Sequence, residues 1–106
     1  EFDLKQDRGG IADIEFLAQY WALLHAAEHP PVAHFSDTIR QLESLASADL
    51  VPQHTVDVLV RAYQAYRQVA HRRSLENLPN VVPAEQFATE REAVAAIWRA
   101  TMEEPV

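Results

Sequence analysis

The sequence contains no cysteine, which excludes disulfides and thiolate metal sites and is compatible with a reducing cytoplasm. Glycine is almost absent: two occur in 106 residues, adjacent at Gly9 and Gly10. Alanine, leucine, glutamate, glutamine and arginine recur instead, and this bias favours helices. Basic charge is short as well, with 9 Lys+Arg against 16 Asp+Glu and a formal net charge of −7. A chain of that balance repels phosphate backbones, which argues against a general nucleic-acid binder while leaving room for local basic clusters. No apolar run reaches membrane-spanning length and no signal-peptide pattern is present, so the expectation is a soluble protein with no membrane partner. The Ser-His-Asp order, the Walker loop and the Gly-rich dinucleotide fingerprint are also missing.

What is there points to one all-α domain. The chain is 48% hydrophobic, long enough for a single core and too short for two. Ile11, Ile14, Leu17, Ala18, Trp21 and Leu24 recur at spacings of three and four, and the pattern predicts a helix over 11–27 stopped by Pro30 and Pro31. Ser36 stands as an N-cap before Ile39, Leu42 and Leu45, giving a second helix over 37–47. The third and longest pattern, from Val56 through Tyr63 and Tyr66 to Leu75 and Leu78, predicts a helix over 53–78 ended by Pro79. Thr89 and Glu92 have the spacing of a capping box before Val94, Ile97, Trp98 and Met102, so a fourth helix is expected over 90–103. Short connectors force sequential helices to run antiparallel, and the expected architecture is a four-helix up-and-down bundle over 11–106. Trp21, Tyr63, Tyr66 and Trp98 are its expected large core residues.

Residues 5–16, Lys-Gln-Asp-Arg-Gly-Gly-Ile-Ala-Asp-Ile-Glu-Phe, carry most of the functional information. A Gly-Gly pair in front of a helical pattern reads as a loop-to-helix junction. The first amides of such a helix carry partial positive charge, so Lys5, Arg8, Gly9 and Gly10 can together face an anion such as a phosphate. The same residues also fit a plain turn with solvated charges. Asp13 and Glu15 project about 200° apart on a helix and cannot chelate one ion, which excludes paired-carboxylate catalysis within the motif. Asp7 and Asp13 can cap the helix start, pair with Lys5 and Arg8, or face a ligand.

Two further clusters are weaker. His25 and His29 stand four apart, but Ala26 occupies the place where the zinc-protease order requires glutamate. Arg67, His71, Arg72 and Arg73 gather toward the end of the third helix, where they suit the negative end of its dipole or an acidic partner. No metal site and no catalytic residue is expected within the chain.

The segment from Phe2 to Phe16, with its Lys-x-x-x-Gly-Gly-Ile-x-Asp-Ile-Glu-Phe phrase, resembles the bifunctional glutamine synthetase adenylyltransferase/adenylyl-removing enzymes. Thr89 to Val94 is similar to the closing helix of that family, so the resemblance spans nearly the whole chain. It implies a helical domain, of the nucleotidyltransferase substrate-binding-domain type, that follows a polymerase-β-like nucleotidyltransferase core. Residues 1–10 are then the linker from that missing catalytic domain, in keeping with a chain that opens at Glu1 rather than Met. The resemblance implies a bacterial cytoplasmic enzyme that transfers AMP from ATP, with Mg2+, to a tyrosine of glutamine synthetase under control of glutamine and the PII signal protein. The catalytic Gly-Ser…Asp-x-Asp and Asp-x-Arg patterns of that family do not occur here, so the isolated chain is expected to be inactive and to need no cofactor. Lys5, Arg8, Gly9, Gly10, Asp13 and Glu15 match the family motif as a rim of its cleft, Arg8 standing where a small residue or proline is expected. The alternatives are a regulatory module relaying PII or glutamine binding, and the equivalent domain of the PII uridylyltransferases, which carry a similar Gly-Gly motif.

Overall fold

The computed structural model describes residues 1–33 and 37–103. Four α-helices carry the fold: α1 (Ile11–His25), α2 (Thr38–Ser47), α3 (Gln53–Leu75) and α4 (Ala88–Trp98). The expected all-α bundle is what forms. α1 and α3 lie at its centre, each packing against the other and against both α2 and α4. Ile14, Leu17 and Ala18 of α1, Leu42 and Leu45 of α2, Leu59 and Tyr66 of α3 and Val94 of α4 are wholly buried between them. Removing that much apolar surface from water is the main force closing the bundle.

One feature has no counterpart in the helical patterns. β1 (Phe2–Asp3) pairs antiparallel with β2 (Val81–Val82), Phe2 opposite Val82. Phe2 and Leu4 are both 0% exposed and belong to the core. Residues 1–10, expected as a linker loop, thus also contribute core side chains. Phe2 meets the ring of Tyr66 edge-on at 5.5 Å, and Phe87 meets Tyr66 from another side at 5.3 Å.

The helix ends differ from expectation for identifiable reasons. α1 stops at His25 rather than 27, and the chain turns through residues 26–28 before a 3₁₀ turn at Pro30–Ala33. Asp37 caps α2, its Oδ1 accepting the Arg40 amide at 3.0 Å; the N-cap expected at Ser36 lies outside the described residues. α3 ends at Leu75 rather than 78 because Asn77 turns left-handed (φ 56°), letting the Leu78 amide reach the Arg73 carbonyl at 2.8 Å and the Asn77 amide the Ser74 carbonyl at 3.1 Å. That is a Schellman closure. α2 ends the same way at Asp49 (φ 59°), with the Leu50 amide on the Leu45 carbonyl at 3.0 Å. Leu75 and Leu78, read as part of the third apolar stripe, are consequently 73% and 45% exposed.

α4 starts two residues before the expected position, behind a left-handed Phe87 (φ 65°), and no side chain caps it. Thr89 and Glu92 therefore do not form a capping box, because Thr89 already lies inside the helix. After Trp98 the backbone widens into a π-turn over Arg99–Glu103. Trp98 is only partly buried, its ring tilted against Phe16 at 5.4 Å rather than centred in the core as expected. Trp21, Tyr63 and Tyr66 are buried as expected. Tyr66 is a special case, since its hydroxyl is enclosed without a hydrogen-bond partner. Burial raises its phenol far above the usual range, Glu90 adds to that, and Arg91 offsets part of it.

Candidate functional site

The opening motif folds into a compact knot whose polar groups face one another. The Asp3 carboxylate accepts the Lys5 and Gln6 amides at 2.9 and 3.0 Å, and the Asp7 carboxylate accepts the Asp3 amide at 2.9 Å. At the start of α1 the Gly9 amide donates to Asp13 Oδ2 at 2.8 Å and the Gly10 amide to the Asp7 carbonyl at 2.9 Å. Ile11 and Ala12 donate to the Leu4 and Lys5 carbonyls at 2.8 and 3.0 Å. At the helix entrance, read from sequence as anion-facing, the Gly9, Gly10, Ile11 and Ala12 amides are thus bonded within the chain.

The two glycines are required by contact. A Cβ on Gly9, which sits at φ +85°, would lie 2.6 Å from the Arg91 carbonyl oxygen, and one on Gly10 would lie 2.6 Å from that of Leu4. Gly9 presses the motif onto the backbone of α4. Arg8 reinforces the same seam: it donates to Glu103 Oε2 at 3.0 Å, lies 3.6 Å from Asp13 and places its guanidinium 5.1 Å from the Trp98 ring centre. Arg8, Gly9, Gly10 and Asp13 therefore form one group, which ties the motif to the C-terminal part of the bundle.

Lys5 and Glu15 turn elsewhere. Together with Arg67, His71, Ser74 and Asn80 they line a groove of about 330 Å³ between the motif and α3. The Tyr63 hydroxyl donates to Glu15 Oε2 at 2.9 Å, and Arg67 Nη1 reaches that hydroxyl at 3.4 Å, its guanidinium 5.6 Å from the Tyr63 ring centre. The relay holds Glu15 and Arg67 in fixed positions on one wall. Lys5, Arg67, His71, Ser74 and Asn80 offer hydrogen-bond donors of the kind that hold an anion, and Glu15 is the one carboxylate among the described residues lining the groove.

Six motif residues are thus split four and two, and half the groove comes from α3. The sequence pattern places Tyr63 in the core alone and marks neither Ser74 nor Asn80. Residues 63, 67, 70, 71 and 74 share one helical face by their spacing, which is the signal that marks this wall. Arg73 instead donates to the Pro79 carbonyl beyond the helix end, and Arg72 is exposed. His25 and His29 meet no third ligand: among the described residues no group of three His, Asp or Glu side chains is placed to hold a metal ion.

A family model described as GlnD PII-uridylyltransferase matches residues 1–77. The chain belongs to this family. It is similar to curated proteins named bifunctional glutamine synthetase adenylyltransferase/adenylyl-removing enzyme. That of Thioalkalivibrio sulfidiphilus is 46% identical over 103 residues, covering 97% of this chain and 11% of the relative. That of Pseudomonas aeruginosa is 50% identical over 98 residues, 92% of this chain and 10% of the relative. In Burkholderia mallei the identity is 43% over 98 residues, again 92% of this chain and 11% of the relative. The resemblance read from residues 2–16 therefore holds over almost the whole chain, which spans about a tenth of the length of these relatives. Among the described residues no helix is long and apolar enough to cross a membrane.

Proposed function

We propose that this chain is the helical accessory domain of a bacterial cytoplasmic enzyme that attaches AMP to glutamine synthetase and removes it. The observation that carries the reading is the identity of 43 to 50% over nearly all of this chain to relatives bearing that double name. Residues 1–10 are the join to a nucleotidyltransferase domain, anchored in the bundle by Phe2 and Leu4, and residues 11–106 are the bundle. The catalytic carboxylates belong to that other domain, and the Lys5–Glu15 groove borders its cleft.

The donor set of the groove fits the phosphates of ATP, because Lys5, Arg67 and His71 stand beside the Ser74 hydroxyl and the Asn80 amide. It does not fit Mg2+: one carboxylate already committed to Tyr63 leaves too few hard oxygens for that ion. Bound ATP supplies the adenylyl group. What this chain supplies is charge and position, with Lys5 and Arg67 holding anionic oxygens and Tyr63 keeping Glu15 from collapsing onto them.

In the full-length enzyme, Lys5→Ala lowers adenylyl transfer to glutamine synthetase while leaving the fold intact. Unchanged kinetics would remove the groove from the function. A second reading, the equivalent domain of a PII-uridylylating enzyme, is favoured by the description of the matching family model. Assaying the full-length protein with ATP and glutamine synthetase, and separately with UTP and PII, separates the two. Binding of PII or glutamine to the isolated chain, with no effect of Lys5→Ala on transfer, would instead favour a regulatory module.

A further inference from the structure

A second groove, sharing no lining residue with the first, runs along α4 and has a volume of about 400 Å³. Ala84, Ala88 and Ala95 line it with three arginines, Arg8, Arg91 and Arg99, and one carboxylate, Glu92, which the Arg99 guanidinium faces at 3.8 Å. The whole chain has 9 Lys+Arg against 16 Asp+Glu, so a third of its cations at one groove is a concentration against the prevailing charge.

Arg91 is the informative residue. Its guanidinium carbon lies 4.1 Å from the Phe2 ring centre, and its Nε is buried without a hydrogen-bond partner. Among the described residues no carboxylate pairs with it. An enclosed Nε–H with nothing to donate to is costly, and the contact with a core ring fixes where the guanidinium sits. The flanking arginines make exposed ion pairs, and Arg8 also lies 3.6 Å from Asp13 and 5.1 Å from the Trp98 ring centre. Arg8 reaches Glu103 at 3.0 Å and Arg99 reaches Glu92 at 3.8 Å, with all four side chains at least half exposed. Exposed pairs of this kind contribute little, and an incoming anion can displace them.

We propose that this groove is a binding site for a tetrahedral oxyanion of the phosphate class, centred on Arg91 with Arg8 and Arg99 closing from the rim. Planar guanidinium forks match phosphate oxygens two by two, and the small alanine side chains leave room for the group that carries the phosphate. The ligand is free phosphate or a phosphate monoester.

The test is a titration of the 106-residue chain with inorganic phosphate at constant ionic strength, following the Arg91 Nε–Hε resonance. The expected result is a saturable shift with a Kd on the order of 1 mM, weakened at least ~10-fold in Arg91→Met. Arg91→Met removes an unpaired charge, so its melting temperature without phosphate is expected not to fall. Should that variant fail to fold, Arg99→Gln at the rim is expected to weaken binding about threefold. AMP binding tighter than phosphate at the same resonances assigns the site to a monoester, and equal affinity assigns it to free phosphate. A shift that chloride reproduces at equal ionic strength, or none through tens of millimolar phosphate, overturns the proposal. Lys5→Ala leaves this titration unchanged, which keeps it independent of the first groove.

Discussion

The two halves of the opening motif differ in what they touch. Gly9, Gly10 and Asp13 are spent on the chain itself, with the glycine amides bonded inward and no room for a Cβ beside the Arg91 and Leu4 carbonyl oxygens, and Arg8 lies over them against Glu103 and Trp98. Lys5 and Glu15, a few residues to either side, line an open groove with α3. A contiguous motif can therefore carry two kinds of constraint. One kind is steric and is felt as stability, and the other, on the reading proposed above, is chemical and is felt only when a ligand or a second domain is present.

Substitutions can break that division, beginning with the largest effect. Phe2→Ala empties a wholly buried site between Tyr66 and Arg91 and should cost ~3 to 5 kcal/mol in urea unfolding. A cost below about 1 kcal/mol would show that the opening strand is not part of the bundle. Tyr66→Phe acts in the other direction. It deletes an enclosed hydroxyl that has no partner and should raise stability by ~1 kcal/mol at neutral pH.

The same variant sharpens the role of burial at high pH. Because the folded phenol titrates above its unfolded value, the wild-type chain keeps full stability below the ordinary tyrosine range and loses it as pH rises beyond that range. Tyr66→Phe should lose less in alkaline melts, and parallel profiles would contradict the assignment. The smallest effect concerns helix ends. Asn77→Gly relieves a left-handed residue at φ 56° and should stabilise by a few tenths of a kcal/mol, up to ~1 kcal/mol.

Glycine scarcity explains why some of this was legible in the sequence and some was not. The core faces of α1, α2 and α3 follow from apolar spacing, and Trp21, Tyr63 and Tyr66 lie where that spacing puts them. Helix stops are usually read from glycine, yet here Asp49 and Asn77 take the left-handed positions, so the third apolar stripe reads on to Leu78 when the helix has closed at Leu75. The capping-box spacing at Thr89 and Glu92 misleads because Phe87, pinned on Tyr66, sets the start of α4 through tertiary packing. A two-residue strand carries no periodicity, so the pairing of Phe2 with Val82 is not visible in one dimension. At the candidate site the motif residues were legible as a group. Their division was not, because it depends on Arg91 and α3, which arrive from distant parts of the chain.

The most direct test is a matched pair of urea unfolding curves, for Gly9→Ala and Lys5→Ala in the 106-residue chain. A methyl at Gly9 meets the Arg91 carbonyl at 2.6 Å from a left-handed backbone, so that variant should lose on the order of 3 kcal/mol. Lys5 is exposed and lines the groove with α3 rather than the seam with α4, so its variant should stay within about 0.5 kcal/mol of the wild type. Equal losses in the two variants would contradict the division of the motif into a structural half and a ligand-facing half.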